Sequence, residues 1–291
     1  MRTVIFTSGE RSSIEMAGRT ISGFKRLGLR RGFDIDIIKT AGQLRDDLGF
    51  GLLLSAMQSE AQSALLCPAE QVPSELPEDT RMAIIQRRLK SSDCIVSEGG
   101  YTRLKSGSGV ACQHVLRRAQ MLRVRRDLRV SEVTLDSESM LLSVERGENA
   151  ACVLPSYEFQ LFEFSGKDNL RASELPPDYF VPAAGQGAFV LLTMEAEFPD
   201  RTVRRMDDQQ TRREITIERK VVNKLSPAPG VPLGVNCTSF GSGYRLRVQL
   251  LSSDGTLERR IAANIAGRES LSEPLSRFRD DVSRRLLKRL M

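Results

Sequence analysis

Arg117 and Arg118 stand side by side in His114 to Arg123 (HVLRRAQMLR), a segment with helical spacing. Two adjacent guanidinium forks suit carboxylates and phosphates, because each holds several N–H donors in a fixed plane. On residue types alone, an anion site and a solvated helix face are equally good readings of the pair. A second basic group, Arg284, Arg285, Lys288 and Arg289, lies in the C-terminal segment Ser272 to Leu290, whose apolar side carries Leu275, Phe278, Val282 and Leu286. Such a face could meet RNA or a protein partner, although a solvated surface is the plainer reading. Other chemistries have little to work with. His114 is the only histidine, which argues against a Ser–His–Asp triad or a histidine metal site; its place at a helix start reads as structural. Cys67, Cys94, Cys112, Cys152 and Cys237 show no CxxC spacing and read as buried free thiols of an intracellular reducing compartment.

The 291 residues are 40% hydrophobic and 27% charged, without Trp. That composition is globular, and the length allows two or three domains. No apolar run approaches the ~20 residues of a membrane span. Met1-Arg2 leads directly into Val4-Ile5-Phe6, so no signal peptide is expected. The net charge is +6, and 35 of the 43 basic residues are Arg. Surface cations spelled as Arg explain this; an anionic, RNA-rich setting is the alternative.

The elements that must position these residues begin as strand, helix, strand. Residues 3–9 read as a strand, Ser12 caps a helix from Ser13 to Leu27, and Phe33 to Ile38 alternates as a second strand, which predicts a parallel sheet. A helix is expected within Leu48 to Leu66, and strands at Leu65–Cys67, Arg81–Ile85, Val110–Cys112, up to Val133, and Ala150–Pro155. Thr211 is expected to cap a helix through Leu225, followed by a strand carrying Cys237 and a hairpin around Asp254-Gly255. The stretch Phe180 to Phe189 (FVPAAGQGAF) reads as a tight turn, with glycines on both sides of Gln186, entering a buried strand.

That stretch resembles the P-A-V-G-Q-G-A segment of the porphobilinogen deaminase (hydroxymethylbilane synthase) family. Thr216, Glu218, Arg219 and Leu225 match its T-A-E-R…L helix; Val231-Pro232 and Gly234 match the V-P-x-G that follows; Leu116, Arg117, Arg118 and Leu122 match its L-R-R…L. The resemblance implies an α/β fold of three domains. Two doubly wound domains like those of periplasmic binding proteins would comprise 1–96 with 180–196 and 97–179, and a smaller α/β domain would comprise 197–291.

Departures fall on the positions to which the family assigns chemistry. Its T-R-x-S-P-L-A turn, which binds substrate carboxylates, reads Thr7 to Ser13 here, with Ser8 at its Arg and Glu10 at its Ser. The Gly-Lys-Gly loop falls near Arg45-Asp46-Asp47. The catalytic Asp of H-S-M-K-D-V-P is Gln71, and two carboxylate-binding Arg are Thr134 and Met140, with Asp136 and Glu138 added between them. The cysteine that carries the dipyrromethane primer through a thioether is Pro229. A neutral amide does not replace a carboxylate that steadies a pyrrolic cation and moves protons, unless another acid substitutes for it. Proline has no nucleophile.

The resemblance with these losses implies a degenerate member: a pseudoenzyme, without dipyrromethane, serving as a structural or interaction subunit. Protein and RNA in an organellar ribonucleoprotein, such as a mitochondrial ribosome, are the expected partners, and the mitochondrion the expected compartment. The alternative is a divergent hydroxymethylbilane synthase of tetrapyrrole synthesis, using Arg117 and Arg118 for acids. A further alternative is a cleft that binds a small anion without chemistry.

Overall fold

The computed structural model describes residues 2–8, 10–27, 32–38, 51, 54–55, 63–73, 75–161, 170–194, 203–267, 271–276 and 278. Outside them lie the 45–47 loop, most of the helix expected within 48–66, and Arg284, Arg285, Lys288 and Arg289. The chain forms two compact units, residues 1–89 with 187–213 and residues 90–186 with 214–291.

The first unit is built on β1 (Arg2–Ser8), β2 (Gly32–Ile38), β3 (Ser63–Pro68), β4 (Thr80–Ile85) and β10 (Phe189–Met194), in the order β2-β1-β3-β10-β4. β1 runs parallel to β2 and β3, while β10 runs antiparallel to both its neighbours. Every residue of β3 is buried, as a strand needs to be when its sheet is covered on both faces. Helix α1 (Arg11–Arg26) buries Met16, Ala17, Ile21 and Phe24 and ends in Lys25 and Arg26, cations that suit the negative end of the helix dipole. It starts earlier than the expected Ser12 cap: Glu10 is the N-cap residue, and its carbonyl accepts from Ile14 N at 3.1 Å.

The second unit repeats this sheet plan. β5 (Asp93–Glu98), β6 (Gly109–Cys112), β7 (Arg129–Glu132), β8 (Ala151–Pro155) and β9 (Leu170–Glu174) lie in the order β7-β6-β8-β5-β9. β6 is parallel to β7 and β8, and β5 is antiparallel to both its neighbours. Helices α2 (Val115–Val124), α3 (Ser137–Glu145) and α4 (Ser156–Leu161) join them. A separate antiparallel sheet of β11 (Leu233–Phe240), β12 (Gly243–Leu251) and β13 (Glu258–Ile265) packs Val235, Cys237, Leu246 and Val248 against Ile217 and Val221 of α5 (Gln209–Leu225).

Two features differ from the sequence reading. The acids read as a loop at 136–138 open α3: Asp136 accepts from Ser139 N at 2.7 Å, and Glu138 lies in the first turn, where negative charge meets the helix dipole favourably. The cap of α5 is Asp208, which accepts from Thr211 N at 2.8 Å, while the Thr211 hydroxyl accepts from Arg88 N at 2.9 Å. All of β5 pairs within the second sheet. Residues 90–186 also pack closely with 214–291, through Gln120 Nε2 to Gln249 Oε1 at 2.8 Å and through Leu116 and Ala119 beside Leu251.

Candidate functional site

In an open parallel α/β sheet, ligands sit beyond the carboxyl ends of the strands where the strand order reverses. In the first unit that point lies between β1 and β3. The chain leaves β1 through α1 to reach β2 on one side, then returns to place β3 on the other. Thr7 pairs with Leu66 in this ladder, so the two strand ends, and the residues that follow them, lie side by side.

Gln71 ends a single 3-10 turn, Ala69–Gln71, directly after β3. Its Nε2 donates to Glu10 Oε2 at 3.5 Å, across 61 residues of sequence. Glu10 carries no side-chain cap bond to α1; its carboxylate accepts from the Gln71 amide. Gln71 Oε1 is buried and has no hydrogen-bond partner among the described residues; the same holds for Ser8 Oγ at the end of β1 and Ser13 Oγ in the first turn of α1. Ser8 is 2% exposed and Ser13 fully buried. Unsatisfied buried polar atoms are uncommon because each costs desolvation without return, and here three gather at one end of one sheet.

The equivalent point of the second unit lies between β6 and β8. His114, after β6, takes the structural role its position suggested: Nδ1 accepts from Leu116 N at 3.1 Å and caps α2. Arg117 is buried, 4% exposed. Its Nε donates to Asp93 Oδ1 at 2.8 Å and its Nη2 to Gln186 Oε1 at 2.9 Å. Gln186 Nε2 in turn donates to Ser91 O and Asp93 Oδ1. Gly185 and Gly187 hold φ of 84° and 82°, which places the fully buried Gln186 between them inside this network. Arg118 is half-buried and donates to Ser253 O at 2.9 Å. Glu218 accepts from Gly185 N and Cys237 N, each at 2.7 Å.

Pro229 lies exposed in the loop between α5 and β11. All five cysteines are buried. Burial pushes the Cys94 thiol up to about 12 and the Cys112 thiol up to about 11. Among the described residues, no cluster of His, Cys, Asp and Glu could hold a metal ion, and no helix is long and apolar enough to cross a membrane.

Residues 53–200 match the family described as porphobilinogen deaminase, dipyromethane cofactor binding domain. The chain belongs to the porphobilinogen deaminase family. It is 28% identical to porphobilinogen deaminase of Rubrobacter xylanophilus, over 100% of this chain and 94% of that one. It is 27% identical to a probable porphobilinogen deaminase of Archaeoglobus fulgidus, covering 81% and 83%. Among solved structures, the aliphatic sulphonate binding protein SsuA of Escherichia coli superposes with a TM-score of 0.40 at 12% identity, over 77% and 70% of the two chains.

Membership corrects one expectation. A chain without dipyrromethane was expected from Pro229, but the region matched is the domain that binds that cofactor, and the loop carrying Pro229 lies outside it. One loop residue decides a covalent bond; it does not decide whether a domain keeps its binding surface. A thioether anchor is a separate question. Pro229 has no nucleophile and every thiol is buried, so the residues present do not fit a thioether at this loop. The sequence reading also missed the partner of Gln71. Both residues were in view, but nothing in a linear sequence brings positions 61 apart into contact.

Proposed function

We propose that the chain is a divergent deaminase of the hydroxymethylbilane synthase type, releasing ammonia from porphobilinogen and joining the pyrroles in tetrapyrrole synthesis. The observation that carries this reading is the match of the entire chain to a relative named porphobilinogen deaminase, together with the family match over 53–200. The β1/β3 strand ends support it, with a carboxylate at the point where such sheets bind ligands. The test is incubation of purified protein with porphobilinogen, reading ammonia release and linear tetrapyrrole absorbance. Turnover is the expected result; a folded protein with none overturns the reading.

One observation favours the second reading, a non-catalytic structural or interaction subunit with protein or RNA partners. Arg117 makes its bonds to Asp93 and Gln186 inside the fold, which gives this guanidinium a structural task. Absence of turnover, combined with sedimentation in a ribonuclease-sensitive particle, would favour that reading.

A further inference from the structure

We propose that Glu10 is the catalytic carboxylate of this chain and that Gln71 is the residue that positions it. The inference rests on the deaminase reading and assigns its chemistry to a residue outside the motif that carries the family's acid. Gln71, at the position of that acid, is a neutral amide. Its Nε2 donates to Glu10 Oε2 at 3.5 Å, so the negative charge absent from 71 is supplied from the β1–α1 turn. The two positions have exchanged character: a hydroxyl is replaced by an acid at 10, and an acid by an amide at 71.

Three observations make this more than a chance contact. The pair lies at the β1/β3 strand ends, where the strand order reverses. The Glu10 side chain makes no cap bond to the helix N-terminus. Gln71 Oε1, Ser8 Oγ and Ser13 Oγ are buried there without partners among the described residues, and Ser8 and Ser13 are almost wholly buried. The two hydroxyls can donate to the acidic side groups of a substituted pyrrole, and the amide oxygen can accept from its ring N–H.

The chemistry balances with an ionised Glu10. The aminomethyl nitrogen, protonated at neutral pH, leaves as ammonia with the C–N electron pair, and a positive charge spreads over the pyrrole. The Glu10 carboxylate faces that charge. The α-carbon of a second pyrrole then forms the new carbon–carbon bond, and the proton it loses passes to Glu10 and on to water. Gln71 carries no proton in this sequence; its N–H holds the carboxylate in place.

The test compares Glu10→Gln, Glu10→Ser and the exchanged double variant Glu10→Ser/Gln71→Asp, each checked for an unchanged melting profile. Glu10→Gln is expected to lower kcat for ammonia release by roughly 10²- to 10⁴-fold, the range for loss of one acid–base group, with KM little changed. The double variant is expected to recover at least about 10-fold over Glu10→Ser, since a carboxylate at 71 restores the charge. A purely structural Glu10 would not be rescued by an acid at 71. Wild-type turnover with an unaffected Glu10→Gln, or an exchange that rescues nothing, overturns this inference and leaves the proposed function standing. A folded wild type without turnover ends both. If Glu10→Gln fails to fold, Glu10→Asp, which withdraws the carboxylate by one methylene, must lower kcat in the same way.

Discussion

The Arg117 guanidinium and the Asp93 carboxylate meet at 2.8 Å, with side chains only 4% and 1% exposed. Asp93 opens β5 and Arg117 sits in the first turn of α2, so the pair fastens a helix to the second sheet. Gln186 closes the network from the glycine turn. A buried ion pair is costly to break from one side, because the surviving charge keeps its desolvation penalty.

Arg117→Met is therefore expected to lose about 3–5 kcal/mol, the range for stranding one partner of a buried pair. Denaturant unfolding followed by fluorescence measures it. A loss below about 1 kcal/mol, as for an exposed pair, would show that the guanidinium is not buried in solution.

Glu218 bridges two elements by accepting from Gly185 N and Cys237 N. Glu218→Ala leaves both buried donors unpaired, at about 1–3 kcal/mol each. The melting temperature of this variant should fall well below that of Glu214→Ala, whose partners Ser239 N and Oγ are only partly buried.

Gly255 holds φ of 67°, and a Cβ there would lie 2.4 Å from the Ala119 carbonyl oxygen. Gly234 is closed in the same way by Val181 O at 2.2 Å. Alanine at either site must displace backbone, and a loss of about 1–3 kcal/mol is expected from the overpacking. Gly230→Ala, with nothing within 4 Å of its Cβ, isolates the effect of a positive φ and should cost less.

Cys94 and Cys112 are pushed up to about 12 and about 11, first by burial, and Cys152 is raised by the same cause. Thiolate is the reactive form, so iodoacetamide at pH 8 should leave these three unmodified in the native protein and modify them after denaturation. The linkage has one sign. Unfolded thiols ionise from their ordinary value near 9, whereas the folded ones resist, so stability is complete below that pH and falls as pH rises above it.

Asp254 behaves oppositely. Ser252 Oγ, then Thr256 N and Oγ1, hydrogen-bond its carboxylate and lower it to about 2. Its contribution to the β12–β13 turn is present above the usual carboxylate value and is lost as pH falls toward 2. A side-chain carboxyl NMR titration with a midpoint near 4 would remove this account of the turn.

Much of the architecture was legible in the residues themselves. The spacing of Ile14, Ala17, Ile21 and Phe24 announces α1, the run Phe189 to Leu192 announces β10, and the glycines beside Gln186 announce a turn. These are local signals: one residue's rotation or backbone freedom sets each of them. The motif matches along the chain likewise placed it in its family. Sequence spacing did not reveal that Arg117 points into a buried network, that β5 belongs wholly to the second sheet, or that a carboxylate from position 10 reaches the amide at 71. Each of those depends on where strands far apart in the chain come to lie side by side. That pairing is fixed by burial of whole sheet faces, a sum over many residues that no short stretch carries by itself.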